Sequence, residues 1–384
     1  MRAPLARARY IVLLGALVAC RTNEALSNRI VGLPTLVAGG TTWTRLNDGV
    51  AGSGSCALAS GGAAFCWAVS LDHALTVAPY TAAGGVTFTA ISVGWQICAL
   101  ATTGAAYCWD PNAGSFLPVS GGLTFSSMST ACGLTAAGSA YCWTGTGTPQ
   151  IVAGAPPLVA LSSGISSTCG LDATGAAYCW GDNTFGQLGA TTPLSTCYPP
   201  FPIGRPCSSS TAPLAVAGGL TFTSISAGGA HTCGLTAGGS AYCWGSNDSN
   251  QLGVSSRPLS ECGITALRAT KLVPDSVACT AMPTAVAGGF LFTTISSGGA
   301  HTCGLVGDGA AYCWGANDYG QLGNGSTTPS DVPVPVSRGL RFTSINAASD
   351  HTCALTADGH LYCWGGTYCG SGPGGKVISC GEVD

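Results

Sequence analysis

Short stretches in which apolar and small polar residues alternate recur along the chain. Four of them follow one pattern and are Thr87–Ser92, Thr221–Ser226, Leu291–Ser296 and Arg341–Asn346. A period of two is typical of a strand that buries one face. Pro/Val/Gly segments such as Pro213–Gly218 precede these stretches and indicate a further short strand. The pattern therefore predicts a chain built from short strands.

A second unit follows the alternating stretches and has the order Cys, any residue, Leu, a small-residue turn, an aromatic residue, Cys and Trp. In the copy Cys233–Trp244 the turn falls at Gly238-Gly239, which predicts a β-hairpin. The seven cysteine pairs are Cys56 with Cys66, Cys98 with Cys108, Cys132 with Cys142, Cys169 with Cys179, Cys233 with Cys243, Cys303 with Cys313, and Cys353 with Cys363. The tryptophans that follow them are Trp67, Trp109, Trp143, Trp180, Trp244, Trp314 and Trp364.

Folding each hairpin about its turn places its two cysteines opposite each other on neighbouring strands. Opposed residues in an antiparallel pair lie about 4.5–5.5 Å apart at Cα, which is within reach of a disulfide. Closing a loop of this size stabilises a fold by roughly 3 kcal/mol in the chain-entropy model. We therefore expect one disulfide in every hairpin.

The repeats predict an all-β fold, a seven-bladed β-propeller of four-stranded blades. Each repeat supplies about four strands, and a ring lets every blade cover its neighbours' apolar faces. The last hairpin has no outer segment after it, whereas the first repeat has an extra one at Leu33–Val37. We expect this N-terminal strand to complete the last blade and close the ring. Residues 32–384 are then a single propeller domain.

The amino terminus has the features of an export signal. Arg2, Arg7 and Arg9 precede the apolar run Ile11–Ala19, which is too short to span a bilayer. The sequence Leu-Val-Ala-Cys20 resembles the lipobox of bacterial lipoproteins, and this resemblance implies cleavage before Cys20 and its acylation. We expect a signal peptide at 1–19 and an anchor and linker at 20–31. By the same resemblance, Arg21 rather than Asp after the cysteine implies an outer-membrane or cell-surface location over the inner membrane.

Repeats five and six carry the fullest version of the pattern. His231-Thr232 leads to Trp244-Gly245 and then Gln251-Leu-Gly253, and the same order recurs from His301 to Gly323. This resembles the regulator-of-chromosome-condensation repeat, whose family forms seven-bladed propellers. The resemblance extends over roughly residues 32–364. Repeats one to three lack the His-Thr step and the Gly-Gln-Leu-Gly turn, so we expect their blades to be trimmed.

Seven cysteines lie outside the hairpins, among 21 in the whole chain. Six of them form three local pairs by proximity along the chain, namely Cys197 with Cys207, Cys262 with Cys279, and Cys369 with Cys380. The first two pairs lie in insertions near residues 190–213 and 254–283, and the third lies in a C-terminal tail at 366–384. Cys20 is the unpaired cysteine, as expected of a lipid-modified residue.

Composition argues against nucleic acid as a ligand. Only 8% of the residues are charged, and 13 Lys and Arg against 16 Asp and Glu give a net charge of −3. This chain has no basic field to hold a phosphate backbone. Neither a Gly-x-Ser-x-Gly elbow nor a His-Glu-x-x-His helix motif occurs. We expect a protein that is not an enzyme and that needs no cofactor.

Three features could bind small ligands, but each has a simpler structural interpretation. His231, His301 and His351 occupy one repeat position, where they could converge on zinc or hydrogen-bond within the fold. The Asx-rich steps after Trp-Gly, such as Asp182-Asn183, lack the spacing of a calcium loop and fit Asx turns. Residues 370–376 resemble a phosphate loop, but Val377 replaces the required Ser or Thr. We expect no metal site.

The two insertions have two interpretations, namely tolerated surface decorations or a protein-binding rim. We take them as the predicted binding region, because function in a propeller resides in loops on a rigid frame. Candidate partner-binding residues are Tyr198, Phe201, Arg205, Arg257 and Arg268, which are of the types enriched in interfaces. We therefore expect a cell-envelope protein-interaction scaffold, held at the membrane through Cys20. The alternatives are a secreted inhibitor of a hydrolase and, by family analogy, a guanine-nucleotide exchange factor.

Overall fold

Seven antiparallel sheets follow one another along the chain and form the blades of a closed ring. The computed structural model describes residues 35–36, 42–46, 54–69, 75–80, 85–94, 96–110, 112–192, 194–196, 206–255, 260–261, 278–366, 371–372 and 376–377. The first strand of a blade lies innermost, because the central channel is lined by residues of these strands. The predicted seven-bladed propeller of four-stranded blades is confirmed.

The first three blades each contain four strands. From the channel outward they are β2 (Trp43–Leu46), β3 (Gly54–Ala59), β4 (Ala64–Val69) and β5 (Leu75–Tyr80) in blade 1; β6 (Phe88–Val93), β7 (Ile97–Ala101), β8 (Ala106–Asp110) and β9 (Ser115–Pro118) in blade 2; and β10 (Ser127–Ser129), β11 (Cys132–Leu134), β12 (Ala140–Cys142) and β13 (Gln150–Ile151) in blade 3. The expected trimming is confirmed for blade 3, whose strands have two or three residues, and is wrong for blades 1 and 2, whose strands have four to six.

The insertions add a fifth strand to blades 4 and 5. Blade 4 contains β14 (Leu158–Ser163), β15 (Ser167–Asp172), β16 (Ala177–Asp182) and β18 (Pro206–Ala215), with β17 (Leu194–Thr196) outside them. Blade 5 contains β19 (Ser224–Ala227), β20 (His231–Leu235), β21 (Ala241–Ser246) and β23 (Cys279–Ala285), with β22 (Ser260–Glu261) parallel to β23.

Blades 6 and 7 return to four strands. Blade 6 contains β24 (Phe292–Ser297), β25 (His301–Val306), β26 (Ala311–Gly315) and β27 (Ser330–Pro335), and a 3₁₀ turn, Ser337–Gly339, leads to the next blade. Blade 7 contains β28 (Ser344–Ala347), β29 (His351–Leu355), β30 (Leu361–Gly365) and β1 (Thr35–Leu36). In the tail, β31 (Ser371–Gly372) pairs with β32 (Lys376–Val377).

The ring closes between the two ends of the chain. Strand β1 pairs antiparallel with β30, so that Thr35 faces Cys363 and Leu36 faces Tyr362. The predicted closure of the last blade by the N-terminal strand is confirmed. The last blade therefore contains strands from both ends of the chain, which holds the ring closed.

The outer strand of blade 4 is longer than the segment Pro213–Gly218 predicts. It begins at Pro206, because β16 continues to Asp182 and keeps pairing beyond a register shift after Cys179. The return of the first insertion is therefore part of the sheet, and the hairpin of β17 and β18 extends the blade.

Apolar residues of adjacent blades form the core together. Between blades 4 and 5, Phe222 and Trp244 pack against the Cys169–Cys179 disulfide and Leu188 of the preceding blade. The Phe222 and Trp244 ring centroids are 5.7 Å apart, and Trp244 is fully buried. The apolar residues of the repeat therefore bury each blade against its neighbour. The described residues form no helix that is long and apolar enough to cross a membrane.

Candidate functional site

One disulfide joins the second and third strands of every blade. Each pair is directly opposed in the sheet register, as Cys233 and Cys243 illustrate. The Cα–Cα distances are 4.0–4.1 Å, and the prediction from the ten-residue spacing is confirmed. The bonded pairs are Cys56 with Cys66, Cys98 with Cys108, Cys132 with Cys142, Cys169 with Cys179, Cys233 with Cys243, Cys303 with Cys313, and Cys353 with Cys363.

The cysteines of the three local pairs are described only in part. Cys279 is disulfide-bonded, and the backbone of Cys207 lies in β18. The remaining members lie outside the described residues and are Cys197, Cys262, Cys369 and Cys380. The connectivity of these pairs therefore stays a prediction.

A hydrogen-bonded relay connects blades 5 and 6 beside the disulfide of blade 5. The Thr302 hydroxyl donates to the Gln251 carbonyl at 2.9 Å, and the Trp314 indole N–H donates to the same carbonyl at 3.0 Å. His231 Nε2 lies 2.9 Å from Thr302 Oγ1. Because the threonine proton is used by the carbonyl, His231 must donate through Nε2. The relay satisfies buried polar groups of two blades at once.

The same atoms meet at the neighbouring interfaces of blades 4 to 7. The equivalent bonds are Thr232 and Trp244 to the Gln187 carbonyl, Thr352 and Trp364 to the Gln321 carbonyl, and His301 Nε2 to Thr352 Oγ1. Blade 4 has Ser167 at the histidine position, so its relay consists of threonine and tryptophan alone. The His-Thr step and the Gln-Leu-Gly turn therefore form one inter-blade contact, which we call the blade lock.

Side chains of the turn itself hold the glutamine carbonyl in place. In blade 5, Asn247 Oδ1 accepts the Leu252 amide at 3.0 Å, and Gln251 Oε1 accepts the Ser249 amide at 2.8 Å. The corresponding asparagines in blades 4 and 6 make the same bond. In blade 4, Asp182 accepts the Thr184 amide in an Asx turn. The Asx-rich steps that could have suggested calcium thus serve the fold.

The histidines lie inside the blade interfaces. His231 and His301 are fully buried, and burial lowers the pKa of each imidazole to about 3. Their Nδ1 atoms are buried without a hydrogen-bond partner, so a proton there would be an uncompensated charge. His351 is beside Asp350, with Nδ1 3.4 Å from the carboxylate. Among the described residues no His, Cys, Asp or Glu cluster could hold a metal ion.

Blades 2 and 3 are joined by different atoms. Gln96 occupies the histidine position in blade 2, and its Oε1 accepts the Gly145 amide of blade 3 at 2.7 Å. The Trp143 indole N–H donates to Cys108 Sγ at 3.2 Å, where blades 4 to 6 present a glutamine carbonyl. Sequence reasoning missed Gln96. Its position two residues before the hairpin cysteine was the available signal, because His231 has the same spacing from Cys233.

A central channel runs through the ring and forms a cavity of about 380 Å³. It is lined by aliphatic and hydroxyl side chains of the inner strands, such as Ile295 and Ser296, and by Arg45. Serine hydroxyls connect neighbouring inner strands, as Ser226 Oγ accepts the Ser297 amide at 2.8 Å. The described lining contains no carboxylate or histidine.

The two insertions leave the ring on the same face. In an antiparallel blade the connections between the first and second strands and between the third and fourth strands lie at one end. We call this end of the ring the insertion face. The second insertion is fixed where it returns, because Asp248 Oδ1 accepts the Ala278 amide at 2.8 Å. The candidate partner-binding residues all lie outside the described residues, so their arrangement stays a prediction. They are Tyr198, Phe201, Arg205, Arg257 and Arg268.

Models of a known repeat family match the part of the chain that contains the blade lock. A model of the regulator of chromosome condensation (RCC1) repeat matches residues 158–187, 222–251, 292–321 and 342–371, and a second model of this repeat matches 174–235 and 308–355. These parts of the chain resemble RCC1 repeats. The matches cover blades 4 to 7, in which the lock is present, and leave out blades 1 to 3.

Relatives and solved structures agree with the RCC1 repeat. The human probable E3 ubiquitin-protein ligase HERC4 is 29% identical over 150 residues, which are 38% of this chain but only 11% of that protein. Prp20p from Saccharomyces cerevisiae has a TM-score of 0.63 at 18% identity, covering 83% of this chain and 81% of Prp20p. Human WBSCR16 has a TM-score of 0.65 at 14% identity, covering 87% and 90%. These likenesses show the propeller fold.

Proposed function

We propose that this RCC1-repeat protein is an exported, lipid-anchored scaffold that binds another protein through its insertion face. The observation that carries the proposal is the disulfide in every blade, combined with two long connections that leave neighbouring blades on one face. The frame is covalently stapled, and the two long insertions leave it on one side. Binding sites on rigid frames are commonly built in this way.

The disulfides support a location outside the cytoplasm. Structural disulfides persist in oxidising compartments and are rare where glutathione keeps thiols reduced. Cys169, Cys179, Cys233 and Cys243 are fully buried, as expected for structural rather than reactive cysteines. The basic and apolar amino terminus and the sequence Leu-Val-Ala-Cys20 agree with export and acylation. On this basis we place the protein on the outer membrane or cell surface.

A protein partner fits both the insertions and the fold. The structure of Prp20p is described with its binding to Gsp1p and histones, so a related propeller binds proteins. The insertions of this chain contain Tyr198, Phe201 and Arg205, and aromatic residues and arginine are enriched in interface cores. Fixing the end of the second insertion through Asp248 reduces the entropy lost on binding.

Crosslinking in the native envelope tests the scaffold. We expect a protein crosslinked to the full chain to be lost when residues 193–205 and 256–277 are replaced by short Gly-Ser linkers. The matched control replaces residues 324–329, the shorter connection of blade 6 on the same face, and keeps the crosslink. Equal capture by both variants would contradict binding through the insertions.

Mass spectrometry of the mature amino terminus tests the anchor. We expect an acylated peptide that begins at Cys20, and a Cys20→Ser variant that leaves the membrane fraction. An amino-terminal peptide that still contains Met1, together with free hairpin thiols, would place the protein in the cytoplasm and overturn the proposed address.

A further inference from the structure

The central channel combines two kinds of wall. Ile225, Ile295 and Ile345 stand at one position of three consecutive inner strands and line the cavity with aliphatic carbon. Ile295 and Ile345 also pack in the cores between blades, and the part of each residue that stays exposed is 8% and 6%. The next residue of each strand is polar, and Ser226 and Ser296 line the cavity together with Ser162 of blade 4. An apolar ring therefore lies directly beside a ring of hydroxyl groups.

The hydroxyl groups of this ring are oriented by the fold. Ser162, Ser226 and Ser296 each accept an amide N–H of the next blade through Oγ, at 2.9, 2.8 and 2.9 Å. A hydroxyl that accepts in this way still has its own proton to donate. None of the three protons has an acceptor among the described residues. These hydroxyls therefore remain available to donate to an acceptor in the channel.

Arg45 adds a positive charge to the same cavity. One of its five N–H donors is used, because Nη1 donates to the Thr89 carbonyl of blade 2 at 2.7 Å. No described carboxylate pairs with Arg45, and the described lining of the channel contains no acidic residue. Among the described residues, the cavity thus offers donors and a cation without a matching anion.

We propose that the channel binds a small organic acid, with its carboxylate on Arg45 and its aliphatic body against the isoleucine ring. Carboxylates pair with guanidinium groups through short, charge-assisted hydrogen bonds. The cavity of about 380 Å³ is in the size range of small-molecule sites. An inorganic oxyanion would satisfy Arg45 but leave the isoleucine ring unused.

Calorimetric titration of the mature full chain with four probes tests the site. Hexanoate is expected to bind with a dissociation constant at or below about 1 mM. Acetate, which lacks the aliphatic body, and hexanol and hexylamine, which lack the carboxylate, are each expected to bind at least about tenfold more weakly. Sulfate competing as strongly as hexanoate would show a simple anion site and overturn the proposal.

Substitution of the cation provides the second measurement. Arg45→Met is expected to weaken hexanoate binding about tenfold to a hundredfold, which is the usual loss for a charged hydrogen bond. Arg341→Met is the matched control, since both guanidinium groups are exposed but that of Arg341 pairs with Asp308 outside the channel. Unchanged hexanoate affinity in Arg45→Met, or no saturable binding to the unsubstituted chain, would overturn the proposal. The channel does not involve the insertions, so either result leaves the scaffold proposal standing.

Discussion

Blades 5 and 6 meet through a histidine, a threonine and a backbone carbonyl, whereas blades 2 and 3 meet through a glutamine side chain and a disulfide sulfur. In the first interface the Trp314 indole donates to the Gln251 carbonyl at 3.0 Å. In the second the Trp143 indole donates to Cys108 Sγ at 3.2 Å. The polar requirement is the same in both, because a buried indole N–H needs an acceptor.

The two interfaces have the same kind of apolar contact, a phenylalanine packed against a tryptophan. Phe292 and Trp314 have ring centroids 5.6 Å apart, and Phe125 and Trp143 have theirs 5.2 Å apart. The aromatic pair therefore sets how blades pack, and the polar atoms around it vary. A sulfur acceptor also makes the interface of blades 2 and 3 depend directly on the oxidised cysteine pair, which the carbonyl acceptor of the other interface does not.

Removing the tryptophan is expected to have the largest effect. Trp314 is fully buried, so Trp314→Ala is expected to lower the free energy of unfolding by about 3–5 kcal/mol. Trp143→Ala is the matched substitution. Because Trp143 is 6% exposed, its loss of unfolding free energy is expected at the lower end of that range. Urea unfolding of the oxidised chain measures both. A loss below about 1 kcal/mol for Trp314→Ala would show that the aromatic pair does not determine the packing.

Acid is expected to destabilise the blades that contain buried histidines. The folded-state pKa of His231 and His301 is about 3, below the ordinary value of 6.5. Between these values the unfolded chain binds protons that the folded chain refuses, so stability falls as pH decreases from 6.5 towards 3. At pH 5.5 the loss is about 1.4 kcal/mol for each histidine, or about 3 kcal/mol together. Unfolding at pH 7.5 and 5.5 measures it.

The control for acid sensitivity comes from blade 2. Gln96 fills the histidine position there and cannot be protonated, so His231→Gln with His301→Gln is expected to remove most of the pH dependence. The same double variant is expected to fold at pH 7.5, because a glutamine amide can donate to Thr302 or Thr352. An unchanged slope between pH 7.5 and 5.5 would assign the acid sensitivity to other groups.

The sequence was sufficient for the fold because its strongest signals are periodic. Cysteine pairs ten residues apart predicted the number of blades and the position of their disulfides, and the extra segment Leu33–Val37 predicted the closing strand. These features depend on pairing between nearby residues, where spacing translates directly into register. The length of β18 was missed, because a register shift after Cys179 is invisible in an alternating pattern.

The roles of individual residues depended on contacts between blades and were harder to predict. The histidines had two open interpretations, and neither named Thr302 or Thr352, which are 71 and 51 residues away along the chain. Gln96 had no recognisable motif at all. The partner-binding residues of the insertions stay predictions, because long insertions have no repeat from which their geometry can be inferred.

The glycine of the Gln-Leu-Gly turn offers a matched pair of substitutions. Gly253 has φ +67°, and a Cβ there would lie 2.7 Å from the Trp314 indole nitrogen. Gly289 has a similar φ of +64°, but a Cβ there would have no atom within 4 Å. Gly289→Ala is expected to cost about 1 kcal/mol for its left-handed conformation, and Gly253→Ala about 2 kcal/mol. Equal losses in thermal unfolding would show that the close approach to Trp314 is not required.

Removing Gln96 is expected to have the smallest effect. This substitution tests whether Gln96 joins blades 2 and 3 as the histidines of the blade lock join the later blades. Gln96→Ala leaves the Gly145 amide without its 2.7 Å acceptor and is expected to cost about 1 kcal/mol. Gln150→Ala removes an exposed side-chain bond to the Thr148 carbonyl and is expected to cost less than about 0.5 kcal/mol. Amide hydrogen exchange at Gly145 gives the second readout, since Gln96→Ala should accelerate it and Gln150→Ala should not. If both variants behave alike, the sulfur–indole contact and the aromatic pair hold blades 2 and 3 together without help from Gln96.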